Sequence, residues 1–184
     1  MSEITTVVLD AMGGDNAPGE IVKGAVDAVN TSKECFVYLV GKEDVVNNEL
    51  SKYTYSKEQI EVVNATEVIE TGEPPVMAIR HKKDSSLVKA LNMVKNKEAD
   101  YGVLPIENST TGSVVGVYDL LQEYDNYIIA ETFVNIDHVL VGLKGTDINK
   151  VTTVYSHPQG IMQCDHFLNT HKDWQRIHQA NTAM

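Results

Sequence analysis

The sequence predicts an α/β fold in which helices flank a mostly parallel sheet, giving three layers. Short runs of β-branched and other apolar residues recur along the 184 residues, and segments with apolar residues at helical spacing lie between them. Strands that alternate with helices in this way are typical of parallel sheets. The length is enough for one ordinary domain or one and a half small ones.

The first hundred residues predict three strands and two helices. The strands are the apolar runs ITTVVLD (4–10), CFVYLVG (35–41) and IEVVNA (60–65). The helices are residues 20–30 and 84–100, and each carries a single apolar stripe that a sheet can bury. These elements form the first part of the predicted sheet.

The remaining residues continue the alternation. We predict a strand at 101–106, a helix at 113–124 and one or two long strands at 127–143, where β-branched and aromatic residues dominate. Residues 84–122 should form one unbroken helix–strand–helix unit. The last predicted elements are a strand at 150–156, a helix at 158–171 and a final strand at 174–180.

Composition and charge exclude several classes of protein. The net charge of −11 argues against nucleic acid and anionic membrane as main partners. No stretch approaches the roughly 18 apolar residues that a membrane span needs, and the first residues lack the pattern of a signal peptide. Cys35 and Cys164 lie far apart without metal-type spacing, so we expect reduced thiols and a cytoplasmic protein.

Four loops are candidate ligand sites. Ligands of parallel sheets bind beyond the carboxyl ends of the strands, beside helix N-termini. In this sequence that rule selects residues 10–18, 80–86, 105–113 and 155–159. The histidines show no HxH or HxxxH pattern, so no metal site is expected. We expect no cofactor either.

The loop DAMGGDNAP (10–18) joins an acid that ends a strand to two glycines. Asp10 precedes Gly13 and Gly14, and paired glycines can expose backbone amides to an anion. Asp10 and Asp15 argue against a bare phosphate site unless a metal or a lysine helps. The alternative is a capped strand-to-helix turn.

The loop RHKKDSS (80–86) places cations before a helix. Its candidates for phosphate or an acidic partner are Arg80, Lys82, Lys83 and Ser85. A helix N-terminus and a basic run both favour an anion. A solvated run of charges before a helix is the alternative.

Residues 4–100 resemble a known enzyme family. VVLDAMGGDNAPGEIVKGAVDA, LVGKED and IEVVNATEVIETGEPPVMAIRHKKDSSLVKALNMVKNKEAD are similar to the phosphate acyltransferases of phospholipid synthesis. The resemblance implies a transferase that moves an acyl group from acyl carrier protein to phosphate, with acyl carrier protein as a partner. That family continues with a strand and a glycine- and threonine-containing loop, which this sequence does not show.

The loop PIENSTTGS (105–113) offers neutral donors between a strand and a helix N-terminus. Asn108 carries an amide and Glu107 a carboxylate, and Ser109, Thr110 and Thr111 carry hydroxyls. Neutral donors with a helix dipole can hold a carboxylate without any lysine or arginine. The alternative is a Ser/Thr-rich cap of the helix 113–124.

The loop YSHPQ (155–159) offers a second polar cluster. Ser156 could cap the next helix or donate to an anion, and Gln159 and Gln163 are i,i+4 neighbours on that helix. His157 is a candidate acid or base. Alternatively, His157 packs or hydrogen-bonds at the turn.

Residues 98–184 resemble a second family. YGVLPIENSTTGSVVGVYDLL, IDHVLVGL, VYSHPQGIMQC, FL and NTA are similar to prephenate dehydratase in order and spacing. The resemblance implies a lyase of phenylalanine biosynthesis that converts prephenate to phenylpyruvate, water and carbon dioxide, with Asn108, Ser156 and Gln163 as catalytic residues. It also implies substrate contacts from Glu107, Ser109, Thr110, Thr111, Asn181 and Thr182, to which the second loop adds His157 and Gln159.

The two resemblances together predict a composite chain. Residues 1–100 would be a phosphate-acyltransferase-like fragment and 101–184 a prephenate-dehydratase-like fragment, or both would merge into one α/β domain. The sequence has no Thr-Arg-Phe motif of the dehydratases, so we expect little or no turnover. The alternatives are phosphate acyltransferase activity or an inactive chimera that binds a small dianion or phosphate. Strand edges without neighbours would favour a homo-oligomer.

Overall fold

The computed structural model describes residues 4–14, 16–69, 73, 78, 81–104, 107–108, 112–113 and 115–179. The chain divides into two compact units. The first unit comprises residues 1–106 and 115–127, and the second comprises 107–114 and 128–184. No helix among the described residues is long and apolar enough to cross a membrane.

The first unit is built on a four-stranded parallel sheet. Its strand order is β3-β2-β1-β4, and every neighbouring pair is parallel. The strands are β1 (Thr5–Asp10), β2 (Cys35–Gly41), β3 (Ile60–Asn64) and β4 (Tyr101–Gly102). The helices are α1 (Gly19–Thr31), α2 (Glu43–Leu50), α3 (Ser86–Lys95) and α4 (Val115–Tyr124). The predicted α/β class is therefore confirmed.

Side-chain alternation in the strands produces the three layers. Val37 and Leu39 of β2 face α1 and α2, whereas Val40 of the same strand belongs to the cluster on the α3 side. Successive residues of a strand point to opposite faces, so one apolar run supplies both cores. Helix α1 contributes Val22, Ala25, Val26 and Val29, which lie on one helical stripe.

Strand β4 joins the sheet directly after Asp100. Val7 and Val8 of β1 pair with Tyr101 and Gly102. A side chain on Gly102 would place its Cβ 3.3 Å from Val94, so glycine lets α3 pack closely on this strand. The predicted strand 101–106 is thus observed as two residues.

The second unit contains two small sheets. Strands β5 (Glu107–Asn108) and β6 (Gly112–Ser113) pair antiparallel. Strands β7 (Thr153–Ser156) and β8 (Gln175–His178) pair in parallel, from Thr153↔Gln175 to Ser156↔His178. Between them lie α5 (Pro158–Gln163) and α6 (Asp165–Leu168), and a 3₁₀ turn at Ile148–Lys150 precedes β7. The core of this unit is Val154, Ile161, Leu168 and Trp174.

The structure corrects three element predictions. The long strands expected at 127–143 are wrong, because these residues form no strand, and their apolar side chains are exposed, as with Leu143 at 87%. The helix 158–171 is divided at Cys164 into α5 and α6 and ends at Leu168. The unbroken unit at 84–122 is also wrong, because the antiparallel pair β5–β6 interrupts it.

Candidate functional site

The second unit brings the end of β7 to the start of α5. Ser156 is the last residue of β7 and is half-buried. Its carbonyl oxygen accepts a hydrogen bond from the N–H of Gln179 at 2.9 Å, which continues the pairing of β7 with β8 by one residue. This position is the carboxyl edge of a parallel sheet, where ligands of α/β proteins bind.

His157, rather than Ser156, occupies the cap position of α5. Its Nδ1 accepts a hydrogen bond from the N–H of Gln159 at 3.2 Å. Because Nδ1 is the acceptor, the ring proton of neutral His157 lies on Nε2, which can donate to a ligand. Pro158 fills the first helical position, where its missing N–H costs nothing.

Helix α5 carries both candidate glutamines. Gln159 is exposed and Gln163 is half-buried, and their i,i+4 spacing places them on one side of the helix. The two amides can each donate and accept hydrogen bonds. With Ser156 and His157 they provide hydrogen-bonding groups without any lysine or arginine, which suits recognition of a carboxylate.

The other dehydratase-like loop lies in the same unit, because residues 107–114 and 128–184 belong together. The backbone of Asn108 pairs antiparallel with Gly112, and that of Glu107 pairs with Ser113, so these residues form two short strands. Sequence patterns predicted a strand-to-helix loop here. The candidates Ser109, Thr110, Thr111, Asn181 and Thr182 lie outside the described residues.

The arginine of the second unit is engaged in a network. Arg176 donates from one nitrogen to Asp165 at 3.0 Å and from another to Asn169 at 2.8 Å. Asn169 in turn donates to Asp165 at 2.7 Å. The network ties β8 to α6, so it stabilises the unit and holds this guanidinium in place.

In the first unit, the loop that contains Gly13 and Gly14 turns tightly around the carboxylate of Asp10. Asp10 Oδ1 accepts the N–H of Met12 at 2.9 Å. A Cβ on Gly13 would lie 3.0 Å from Asp10 Oδ2, and Gly14 has a φ of +94°. The two glycines thus allow a tight turn around a carboxylate, whereas α1 begins without a side-chain cap hydrogen bond.

The described lysines of the loop 80–86 are paired with acids. Lys82 contacts Glu73 and the carbonyl oxygen of Val68, and Lys83 lies 3.7 Å from Glu123. Ser85 is fully buried at the cap of α3, and its hydroxyl has no hydrogen-bond partner. Arg80 lies outside the described residues. The local positive charge is therefore largely balanced.

Two interactions were missed by sequence reasoning. Asp84 accepts from Lys89 and from the N–H and hydroxyl of Thr66, and these contacts, led by Lys89, hold its pKa well below the ordinary value. Asp100 Oδ2 accepts from the hydroxyl and the N–H of Thr6 at 2.7 and 2.8 Å, which lowers the pKa of Asp100. Neither has a sequence signal, because each partner is distant along the chain.

Metal-ligand geometry is not found in the described part of the chain. No group of three or more His, Cys, Asp or Glu side chains there is arranged to hold a metal ion. Cys35 and Cys164 are free thiols, and both are half-buried. Cys164 packs against the core of the second unit.

Comparison with known families decides the lineage of the chain. The family model described as prephenate dehydratase matches residues 51–184. The chain belongs to the prephenate dehydratase family. The match includes α3 and β4 and begins well before the resemblance that single motifs reveal from residue 98 onward.

Curated proteins that are similar to this member of the prephenate dehydratase family carry the name of a second family, phosphate acyltransferase. Phosphate acyltransferases of Clostridium botulinum, Clostridium beijerinckii and Clostridium acetobutylicum are 52%, 51% and 49% identical to the chain over 94 residues. That segment is 51% of this chain but 28% of each relative, so the chain spans about a quarter of their length. Both resemblances predicted from sequence motifs are confirmed.

Proposed function

We propose that the second unit carries a prephenate-dehydratase-like site that binds prephenate, a small dianion, with little or no turnover in this 184-residue chain. The observation that carries the proposal is the family match over residues 51–184, with its SHPQ motif at the carboxyl end of β7. The family's chemistry and the neutral character of this loop support the same type of ligand.

The proposed substrate contacts follow from hydrogen-bonding capacity. Asn108, Ser156 and Gln163 would orient the two carboxylates through neutral donors. His157 would add a donor at Nε2, since its Nδ1 accepts from the N–H of Gln159. Dehydration of prephenate is driven by aromatisation, so the protein has to hold the dianion and assist departure of the ring hydroxyl.

Low turnover follows from the lack of a strong acid in the described loop. Departure of the hydroxyl requires a proton or a strong donor. His157 can offer only Nε2, because its Nδ1 serves the helix cap, and the guanidinium of Arg176 is held by Asp165 and Asn169. Binding without fast chemistry is the outcome that this arrangement favours.

The test follows phenylpyruvate formation from prephenate by the purified chain, against the spontaneous acid-catalysed background. A parallel thermal-shift experiment adds prephenate or inorganic phosphate. Stabilisation by prephenate with a rate close to background supports the proposal. Turnover well above background contradicts its second half, and lack of any prephenate effect contradicts its first half.

A second candidate function is acyl transfer to phosphate. It is favoured by 52% identity over 94 residues to a protein named phosphate acyltransferase. In that case Asp10, Gly13, Gly14, Arg80, Lys82, Lys83 and Ser85 would serve phosphate or an acyl carrier protein. Acyl phosphate formed from acyl carrier protein and phosphate would establish it, whereas stabilisation by phosphate alone would indicate an inactive anion-binding chimera.

A further inference from the structure

The carboxyl edge of the β7–β8 sheet carries a histidine that lies outside the motifs of the candidate site. His178 is the last residue of β8, and its partner in the parallel register is Ser156, the last residue of β7. His178 is exposed, whereas Ser156 is half-buried. The two residues therefore end neighbouring strands at the edge where ligands of parallel sheets bind.

The register also decides on which face of the sheet the two side chains lie. Paired residues of neighbouring strands share a face, and so do residues i and i+2 of one strand. Val154 of β7 belongs to the core that α5 and α6 complete. Its partner on β8, Arg176, donates to Asp165 of α6. Ser156 and His178 follow this pair by two positions, so both lie on the face that the helices cover.

This placement brings two donors within reach of one small group. Neighbouring strands lie about 4.8 Å apart, so the hydroxyl of Ser156 and the imidazole of His178 can meet the same ligand atoms. An imidazole carries one N–H donor in either neutral tautomer and two when it is protonated. Arg176, the cation on the same face of β8, is held by Asp165 and Asn169. His178 is therefore the side chain of β8 that can meet a ligand at this edge.

We propose that His178 and Ser156 together bind one carboxylate of the dianion, an inference that rests on the proposed function of the second unit. One donor from each strand suits the two oxygen atoms of a carboxylate. Hydrogen bonds to an ionised acceptor are roughly twice as strong as those between neutral groups. In this arrangement His178 holds the carboxylate and does not deliver a proton to the ring hydroxyl, which agrees with slow chemistry.

Calorimetric titration of prephenate compares the parent chain with three variants. His178→Ala should bind about tenfold more weakly, which corresponds to about 1.4 kcal/mol. His178→Gln should retain most of the affinity, because its amide still donates. The matched control is His166→Ala, which removes the same group from an exposed position on α6 and should bind like the parent. Thermal unfolding followed by Trp174 fluorescence checks that the second unit of each variant is folded.

A double-mutant cycle tests whether the two residues share one carboxylate. If they do, the combined Ser156→Ala and His178→Ala chain should lose less affinity than the product of the two single losses. Independent losses would overturn the shared carboxylate, and equal losses in His178→Ala and His178→Gln would overturn the hydrogen bond.

The parent chain separates this inference from the proposed function. Prephenate binding by the parent, with equal affinity in His178→Ala, would overturn the role of His178 and leave the proposed function standing. Lack of prephenate binding by the parent would contradict the proposed function and overturn the inference with it.

Discussion

The first and second units differ in how completely their strands are covered. In the first, four parallel strands lie between α1 and α2 on one face and α3 on the other, and Leu39 and Val40 are fully buried. In the second, a two-stranded parallel sheet has a core of four residues, and the apolar side chains of residues 128–143 are exposed. Similar strand-forming sequences therefore have opposite outcomes.

Strand formation in the two units depends on the neighbouring strands that are available. Residues 35–41 and 128–143 are both rich in β-branched and aromatic side chains, yet only the former lies between two partner strands. A strand gains its stability from ladder hydrogen bonds and cross-strand packing rather than from local preference.

The largest expected effect comes from truncating the two cores separately. Leu39→Ala should destabilise the first unit by about 3 kcal/mol, as expected for a fully buried leucine. Trp174, the single tryptophan, lies in the core of the second unit and reports its unfolding by fluorescence.

Leu39→Ala should therefore shift the unfolding transition seen by amide exchange at 35–41 and leave the fluorescence transition unchanged. The control, Leu168→Ala, should lower the fluorescence midpoint instead. If the amide-exchange and fluorescence transitions shift together in both variants, the two units unfold as one. That result would contradict separate cores in the two units.

A smaller effect is expected where β4 joins the sheet. Thr6→Val removes the hydroxyl that donates to Asp100 Oδ2 and accepts from the N–H of Asp100 at 2.9 Å. We expect faster amide exchange at residues 101–102 and a lower unfolding midpoint for the first unit. Thr5→Val, on the opposite face of β1, is the control. Equal effects of both variants would exclude a specific role for Thr6.

Acid should weaken the first unit through Asp84. Its folded-state pKa is lowered by Lys89 and Thr66, so its contribution to stability is complete above the unfolded value of about 3.9 and is lost as pH falls further. Asp84→Asn should be less stable than the parent at pH 6, and the gap should narrow below pH 4.

Urea midpoints measured at both pH values check this dependence. Asp27→Asn, an exposed acid on α1, serves as the control and should leave the acid dependence of the first unit unchanged. A constant gap between Asp84→Asn and the parent across this range would contradict the expected linkage.

The smallest effect concerns the cap of α5. His157→Ala removes the acceptor of the Gln159 N–H and should cost about 1 kcal/mol in the second unit. His157→Asn should recover most of this loss, because asparagine is a favourable cap. Fluorescence of Trp174 follows both variants. If asparagine fails to restore stability, the ring contributes by packing rather than by capping.

Sequence patterns anticipated the elements that are decided locally. Strand β2 was predicted at its observed residues, 35–41, because alternating burial on two faces requires a continuous apolar run. Helix α2 was missed, since its buried residues are only Val46 and Leu50, too few to mark a stripe. Strands were wrongly predicted at 127–143, because no local signal reveals whether a neighbouring strand exists.

The candidate site was anticipated less fully. Motifs identified Ser156, His157 and Gln163, but the choice of His157 over Ser156 as cap depends on the extended backbone at residue 157. The balance of charge at Lys82 and Lys83 depends on Glu73 and Glu123, which no spacing rule connects to them. The division of the chain at residue 100 stays a prediction.

The most direct test of the account is calorimetric titration of prephenate into the parent chain, Ser156→Ala and Thr153→Ala. Thr153 lies on the opposite face of β7 from Ser156 and is the matched control. We predict that the parent and Thr153→Ala bind prephenate, and that Ser156→Ala binds at least severalfold more weakly. Binding of phosphate but not prephenate, or equal binding by all three proteins, would contradict a dehydratase-like site in the second unit.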